Sequence, residues 1–293
     1  MRRLILAILF PVAVMGQTRH QSPCSKLLGG VNTFAAVYFD DDSLSQLAKF
    51  DMVVLDPANY DSTDIARLKS LGCMPIAYLN IGEVETYRNY FDLADTSMLL
   101  DPDPHWRDRY YVDICNPRWQ EIVLRNRIPQ ILDKGFCGLF LDLSDLLHEY
   151  PEMNNCAVSL IKRIRKEVHN DNLILDGGLK IIDEVGDDID GIAVEGLMGY
   201  YDFDSEEYEI RPDSVEDREL TFLLNRAKKF KIKVFQLDYA APSDVQTRKK
   251  IIINSRKLGF IPYVGTIELD TLFIDTTHKI KSIDNKKGKP FTD

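Results

Sequence analysis

The stretch GFCGLFLDLSD at residues 135–145 constrains this chain more than any other. Gly138, Leu139, Phe140 and Leu141 form an apolar run with the length and composition of a strand buried on both faces, and the run stops at a carboxylate, Asp142. Residues 191–195 (GIAVE) repeat the arrangement, with Glu195 as the acid. Helical patterns separate such runs, which predicts parallel strands presenting polar groups along one rim.

Taken along the chain, the same unit recurs. Strands are expected at 34–39, 50–56, 74–80, 138–142, 172–176, 191–195, 232–238 and 260–264, with helices at 43–49, 63–71, 117–134, 154–169, 214–230 and 247–258. Eight strands alternating with helices give a single α/β (β/α)8 barrel, the TIM-barrel count, over residues 34–278. Residues 84–116 read as one long irregular connection rich in Asp and aromatics. The lysine-rich segment 279–293 reads as a polar C-terminal tail.

The first residues read differently. Arg2 and Arg3 precede an apolar run over 4–15, and Gly16 offers a small residue for cleavage, so residues 1–16 are expected to be a signal peptide and 17–33 a leader. About 12 apolar residues are too few to span a bilayer, which needs roughly 20, and Gln21-Ser22-Pro23 before Cys24 lacks a lipobox. The expected location is secreted or periplasmic, with no stable membrane insertion after cleavage. Loss of two arginines takes the formal net charge from −10 to −12, a balance that argues against nucleic acid as a partner and favours a cationic ligand. Of the five cysteines, Cys73 and Cys137 lie at strand starts and read as small core residues, with one bridge left open by an oxidising compartment.

Polar residues end successive strands: Asp56, Asn80, Asp142, Asp176, Glu195 and Asp238. In a closed parallel barrel these ends meet at one face, where such enzymes keep their sites. A single strand-end Asp is as often a helix cap or turn former, which weighs most on Asp56 and Asp176. Asp142 and Glu195 stand out because each ends a buried apolar run where an acid has no packing use. Two acids suit glycoside hydrolysis, since the leaving oxygen must gain a proton while a carboxylate assists at the sugar carbon. Strands two places apart lie roughly 9 to 10 Å from each other, so the carboxyls could meet at about 5 to 9 Å, which spans both retaining and inverting separations. Glu195, with the longer arm, is the expected acid and Asp142 the nucleophile or base; Glu83 could replace either.

Tyr78, Asn80 and Glu83 are expected at the same rim as hydrogen-bonding groups for a sugar hydroxyl or amine, alongside Asp56, Asp176 and Asp238. Tyr200 opens a stretch at 200–209 in which rings alternate with acids, suited to stacking on sugar faces and drawing a positive charge, or simply to a solvated loop. No GxSxG, GxxxxGK[ST] or HExxH motif occurs, and the five histidines show no metal-ligand spacing. No cofactor and no metal is expected, although an all-oxygen Mg2+ or Ca2+ site drawing on Asp142, Ser144 and Asp145 is left open.

Four segments, in this order, carry a family resemblance: IAYLNIGE at 76–83, VDICNPRW at 112–119, the 135–145 stretch and the Glu195 strand. Together they resemble glycoside hydrolase family 114, the endo-α-1,4-polygalactosaminidases and related barrel proteins, over roughly residues 34–264. The resemblance implies a TIM barrel, places the two catalytic acids on Asp142 and Glu195, and suggests a galactosamine-containing polysaccharide, a cationic polymer, as substrate. The chain departs from the family pattern at Cys137, where Asp is common, at Asp176, where Asn is common, and at Leu143 and Ser144, where an Asn is expected. A non-catalytic carbohydrate-binding barrel is the competing reading; only the enzyme requires two carboxyls within catalytic reach.

Overall fold

A computed structural model describes residue 24 and residues 28–38, 44–211 and 218–274. The expected signal peptide, most of the leader, the first turn of the helix expected from 214 and the polar tail lie outside the described residues.

Eight strands form one parallel sheet in chain order: β1 Phe34–Val37, β2 Met52–Leu55, β3 Met74–Asn80, β4 Gly138–Asp142, β5 Asn172–Asp176, β6 Gly191–Glu195, β7 Lys233–Tyr239 and β8 Ile261–Gly265. Each neighbouring pair is parallel. The sheet curls into a nearly closed TIM barrel. Across its seam the rings of Phe34 and Tyr263 meet edge to face at 6.0 Å, and Tyr38 N–H donates to the Leu269 carbonyl at 3.0 Å. The strands are buried along almost their whole length because helices cover the outside while side chains fill the inside.

The connections follow local sequence chemistry. Asp61 caps helix Ser62–Ser70 through a reciprocal capping box with Asp64. Asn116 caps the helix opened by Pro117. That helix widens to a π-turn over Ile122–Arg127 before Pro129, which has no N–H to give the preceding turn. Trp119 fastens it to the barrel, its indole N–H donating to the Ile81 carbonyl at 2.9 Å. Gly138 has φ +150°, and a Cβ there would sit 2.0 Å from the Asn172 carbonyl oxygen, so the strand carrying Asp142 can pack against β5 only with glycine at its start.

Two expectations need correction. Residues 84–116 are not irregular throughout: Glu83–Glu85, Leu99–Pro102 and Arg109–Val112 form a three-stranded antiparallel sheet with Arg109–Val112 in the middle. These strands are three or four residues long and carry charges within them, so they show no apolar alternation. Cys137 is not a lone core residue either: it is bonded to Cys24, and Cys115 to Cys156, while Cys73 is a buried thiol outside both bridges. Spacing could not reveal these bridges, since each joins segments that only the barrel brings together. Residues 200–209 fold as a hairpin of Gly199–Asp202 against Glu207–Ile210. Among the described residues no helix is long and apolar enough to cross a membrane.

Candidate active site

The strand registers set the site. Asn80 pairs with Asp142, and Asp142 with Asp176, so three polar ends stand side by side on β3, β4 and β5. Asp176 pairs with Ala193, which puts Glu195 on the same face two residues further along β6. Glu195 in turn pairs with Leu237, so Tyr239, two residues on, shares that face. Asp142 and Glu195 therefore open into one cleft, as do Tyr78, Asp145 and Tyr239.

Asp142 is held by neutral donors. The Tyr78 hydroxyl donates to its Oδ2 at 2.8 Å, and Asn80 Nδ2 approaches the same oxygen at 3.3 Å. Both donors are themselves fixed. Tyr78 packs against Tyr38 with tilted rings whose centroids are 4.3 Å apart, and the Asn80 side-chain oxygen Oδ1 accepts from the backbone N–H groups of Gly82 at 2.9 Å and Glu83 at 2.8 Å.

Glu195 has a different setting. Its tip is open to solvent, yet protein surrounds it on most sides, as befits a group at the bottom of a cleft. Burial pushes its carboxyl up to about 7, with the Asp142 charge acting in the same sense, while hydrogen bonds from Asp176 and Tyr239 pull the other way. The Tyr239 hydroxyl donates to Glu195 Oε2. Asp176 lies behind, 1% exposed, with no donor to either carboxyl oxygen among the described residues. Burial and then the Glu195 and Asp142 charges push its carboxyl well above the usual range. Two carboxylates cannot hydrogen-bond to each other; a protonated Asp176 donating to Glu195 satisfies both.

The other expected residues fall in varied places. Asp56 lines the cleft, but Arg88 grips both its oxygens at 2.9 and 2.7 Å. Asp238 lies on the opposite face of β7 from Tyr239; it is fully buried, accepts from the Met198 N–H at 3.2 Å and so braces the loop after Glu195. Glu83 is 2% exposed and packs behind Asn80, its Oε2 receiving Asn80 Nδ2 at 3.0 Å and facing Arg109 at 3.5 Å. Burial, reinforced by the Asp142 charge, pushes Glu83 up to about 9. Tyr200 lines the cleft from the hairpin, its hydroxyl donating to Glu209 at 2.5 Å.

Tyr38, Trp106, Arg109 and Tyr239 also line the cleft and do not stand out in the sequence. Only Tyr239 carries a readable signal, being the ring directly after a strand-end acid and hence on the opposite face from it. Trp106 and Arg109 sit in the inserted sheet and its turn, with the Arg109 guanidinium 4.7 Å over the indole ring; nothing short of the fold places them above Asp142. The cleft measures about 560 Å3; a separate cavity of about 740 Å3, lined in part by the helices Arg218–Phe230 and Val245–Lys257, adjoins it at Asp145, Glu195 and Gly196.

Known proteins share this architecture. Residues 16–281 match the model of glycoside-hydrolase family GH114. The chain resembles the glycoside hydrolase domain of PelA from Pseudomonas aeruginosa, with a TM-score of 0.75 and 23% identity over 83% of this chain and 98% of that one. It also resembles Aspergillus fumigatus Ega3, solved in complex with galactosamine, with a TM-score of 0.62 and 16% identity over 82% of this chain and 92% of that one. An uncharacterized protein of Methanocaldococcus jannaschii, MJ1477, is 26% identical over 257 residues, 77% of this chain and 73% of the relative.

Proposed function

Because the chain belongs to glycoside-hydrolase family GH114, and is on that ground a glycoside hydrolase, we propose that it cleaves an α-linked galactosamine-containing polysaccharide through Asp142 and Glu195. The observation that carries this reading is the asymmetric carboxylate pair in one cleft: a Glu195 pushed up to about 7, opposite an Asp142 whose oxygen accepts from Tyr78 and Asn80. A carboxyl with a raised pKa is protonated at neutral or mildly acid pH and can hand its proton to the leaving oxygen. Asp142, held at a fixed angle by two donors, acts at the sugar carbon as nucleophile or as base toward water. Tyr239 and Asp176 orient the Glu195 carboxyl and limit how far its pKa climbs.

Substrate class follows from the lining. Trp106, Tyr200, Tyr201 and Phe203 offer apolar faces for sugar rings. Asp142 supplies negative charge for an ammonium group, while two of the cleft arginines are engaged locally, Arg88 by Asp56 and Glu85 and Arg109 by Glu83. The cavity that adjoins the cleft at Glu195 leaves room for a polymer to extend past the cut. The complex of Ega3 with galactosamine supports the same sugar. Two disulfides among the described residues agree with a secreted or periplasmic protein.

The test is incubation with partially deacetylated galactosaminogalactan and with neutral polysaccharides, measuring reducing ends released by the wild type, Asp142→Asn and Glu195→Gln. Release from the amino-sugar polymer, lost in both variants, is the expected result. Turnover unaffected by both substitutions removes the mechanism, and binding without release by the wild type points to a non-catalytic carbohydrate-binding barrel.

A further inference from the structure

Outside the Asp142–Glu195 pair, the described residues bring one more set of acids together. Oxygens of Glu83, Asp103 and Asp145 lie within 4.8 Å of one another. The three come from separate segments: the first strand of the inserted sheet, the residue just after its Leu99–Pro102 strand, and the first turn of the helix Ser144–Glu149 that follows Asp142. Sequence spacing could not group them, and the oxygen set left open from sequence, Asp142, Ser144 and Asp145, shares only Asp145 with this one.

An acidic cluster on an open surface would call for no ligand, but two members here are neither exposed nor satisfied. Glu83 is 2% exposed and Asp103 7% exposed. Glu83 Oε1 and Asp103 Oδ2 are shut off from solvent with no hydrogen-bond partner, whereas the second oxygen of each is engaged. Glu83 Oε2 takes Asn80 Nδ2 at 3.0 Å and faces Arg109 at 3.5 Å; Asp103 Oδ1 takes the backbone N–H groups of His105 at 2.7 Å and Trp106 at 3.1 Å. Each of the two buried acids is thus left with one unsatisfied oxygen beside a third carboxylate, and a buried acceptor with no partner is costly. The guanidinium of Arg109 is set against the far oxygen of Glu83, so Glu83 Oε1 is left without it.

We propose that Glu83, Asp103 and Asp145 form a calcium site that clips the inserted sheet to the turn behind Asp142. Calcium binds oxygens at about 2.3–2.6 Å, so two ligand oxygens on opposite sides of one ion stand at most about 5 Å apart, and the trio falls inside that span. Exposed Asp145 leaves room for the waters that complete a coordination number of about six to eight. Magnesium, which keeps most of its water and commonly takes one or two carboxylates, fits three converging carboxylates less well. The consequence reaches the cleft: Asp103 holds the backbone of Trp106, which lines it, and Asp145 lies three residues past Asp142. This inference stands apart from the choice of substrate, because it concerns the wall of the cleft rather than the bond cut.

The experiment is calorimetric titration of the full, oxidised chain, stripped with chelator, with Ca2+ and separately with Mg2+, alongside thermal melts with and without Ca2+. The expected result is one Ca2+ bound per chain, with a melting temperature raised by several degrees and a smaller response to Mg2+. In Asp145→Asn, exposed and therefore safe for folding, Ca2+ affinity drops at least about tenfold, the loss of one charged ligand out of three, and the thermal shift shrinks; Asp103→Asn behaves alike. No calcium heat and no thermal shift in the wild type overturns the site. So does binding that persists unchanged in both variants, which locates the ion elsewhere, or a thermal shift produced by free galactosamine and not by Ca2+, which makes the trio an ammonium pocket.

Discussion

The two carboxylates of the proposed mechanism sit on the same rim and live in opposite surroundings. Asp142 ends β4 among neutral hydrogen-bond donors, Tyr78 and Asn80, each fixed by further contacts. Glu195 ends β6 with one phenol, from Tyr239, and one acid, Asp176, as neighbours. Donors favour the charged form of an acid, and burial beside other acids favours the neutral form. The difference supports a division of roles without reference to any substrate: the acid whose carboxyl is pushed up is Glu195, and the one whose oxygen is presented by donors is Asp142.

The harshest way to break the pair is to neutralise either member. Asp142→Asn and Glu195→Gln should each lower kcat by roughly 10^2- to 10^4-fold, the range for loss of a positioned acid, base or nucleophile, with KM for the polymer little changed; steady-state release of reducing ends checks this. The pH profile comes next. Since Glu195 must be protonated to act as the acid and its carboxyl is pushed up to about 7, activity should hold below that pH and fall about tenfold per unit above it. The sign matters: an acid whose pKa is raised works on the low-pH side of its midpoint. A rate that instead rises through a pH of about 7 would exchange the two roles.

How much is readable without the fold differs between the two acids' surroundings. The strand ends at Asn80, Asp142, Asp176 and Glu195 are legible, because a buried parallel strand is an apolar run and the barrel puts all its ends at one face. The eight-strand count follows from the same periodicity. Tyr78 and Asn80 are legible as rim residues, since they sit two apart on one strand and so share a face, but their role as donors to Asp142 is visible only in the fold. The partners of Glu195 are harder. Asp238, chosen as the last polar residue of β7, faces away, and the strand runs one residue further to Tyr239; an error of one residue in a strand exchanges the inward residue for the outward one. Trp106, Arg109 and Asp103 are out of reach, because the strands of the inserted sheet are too short and too charged to leave a pattern. The disulfide at Cys137 is hidden for a related reason, its partner being 113 residues away.

Single hydrogen bonds sharpen the comparison. Tyr78→Phe removes a donor to a carboxylate, worth about 1.5–3 kcal/mol, so kcat should fall roughly 10- to 100-fold, with the pH at which activity declines little moved. Tyr239→Phe removes a donor that pulls the Glu195 pKa down, so the alkaline decline should move to higher pH, with a smaller loss of rate on the acid side. Paired pH–rate profiles check both, and equal shifts in the two variants would mean that the two acids do not have separate supports.

The smallest expected effect is at Asp176. Its carboxyl, buried and pressed by the Glu195 and Asp142 charges, is pushed well above the usual range, which favours its neutral form and a hydrogen bond given to Glu195. An Asn side chain has nearly the same shape and offers N–H donors in the same direction. Asp176→Asn should therefore keep kcat within about threefold at a pH of about 6, where one neutral donor replaces another in a bond worth about 1 kcal/mol. Asp176→Ala, which removes the donor altogether, should raise the Glu195 pKa and carry the alkaline decline upward. If Asn proves as damaging as Ala, the proton on Asp176 takes part in the chemistry rather than merely holding Glu195 in place, and the β6 side of the rim contains two working acids where the β4 side contains one.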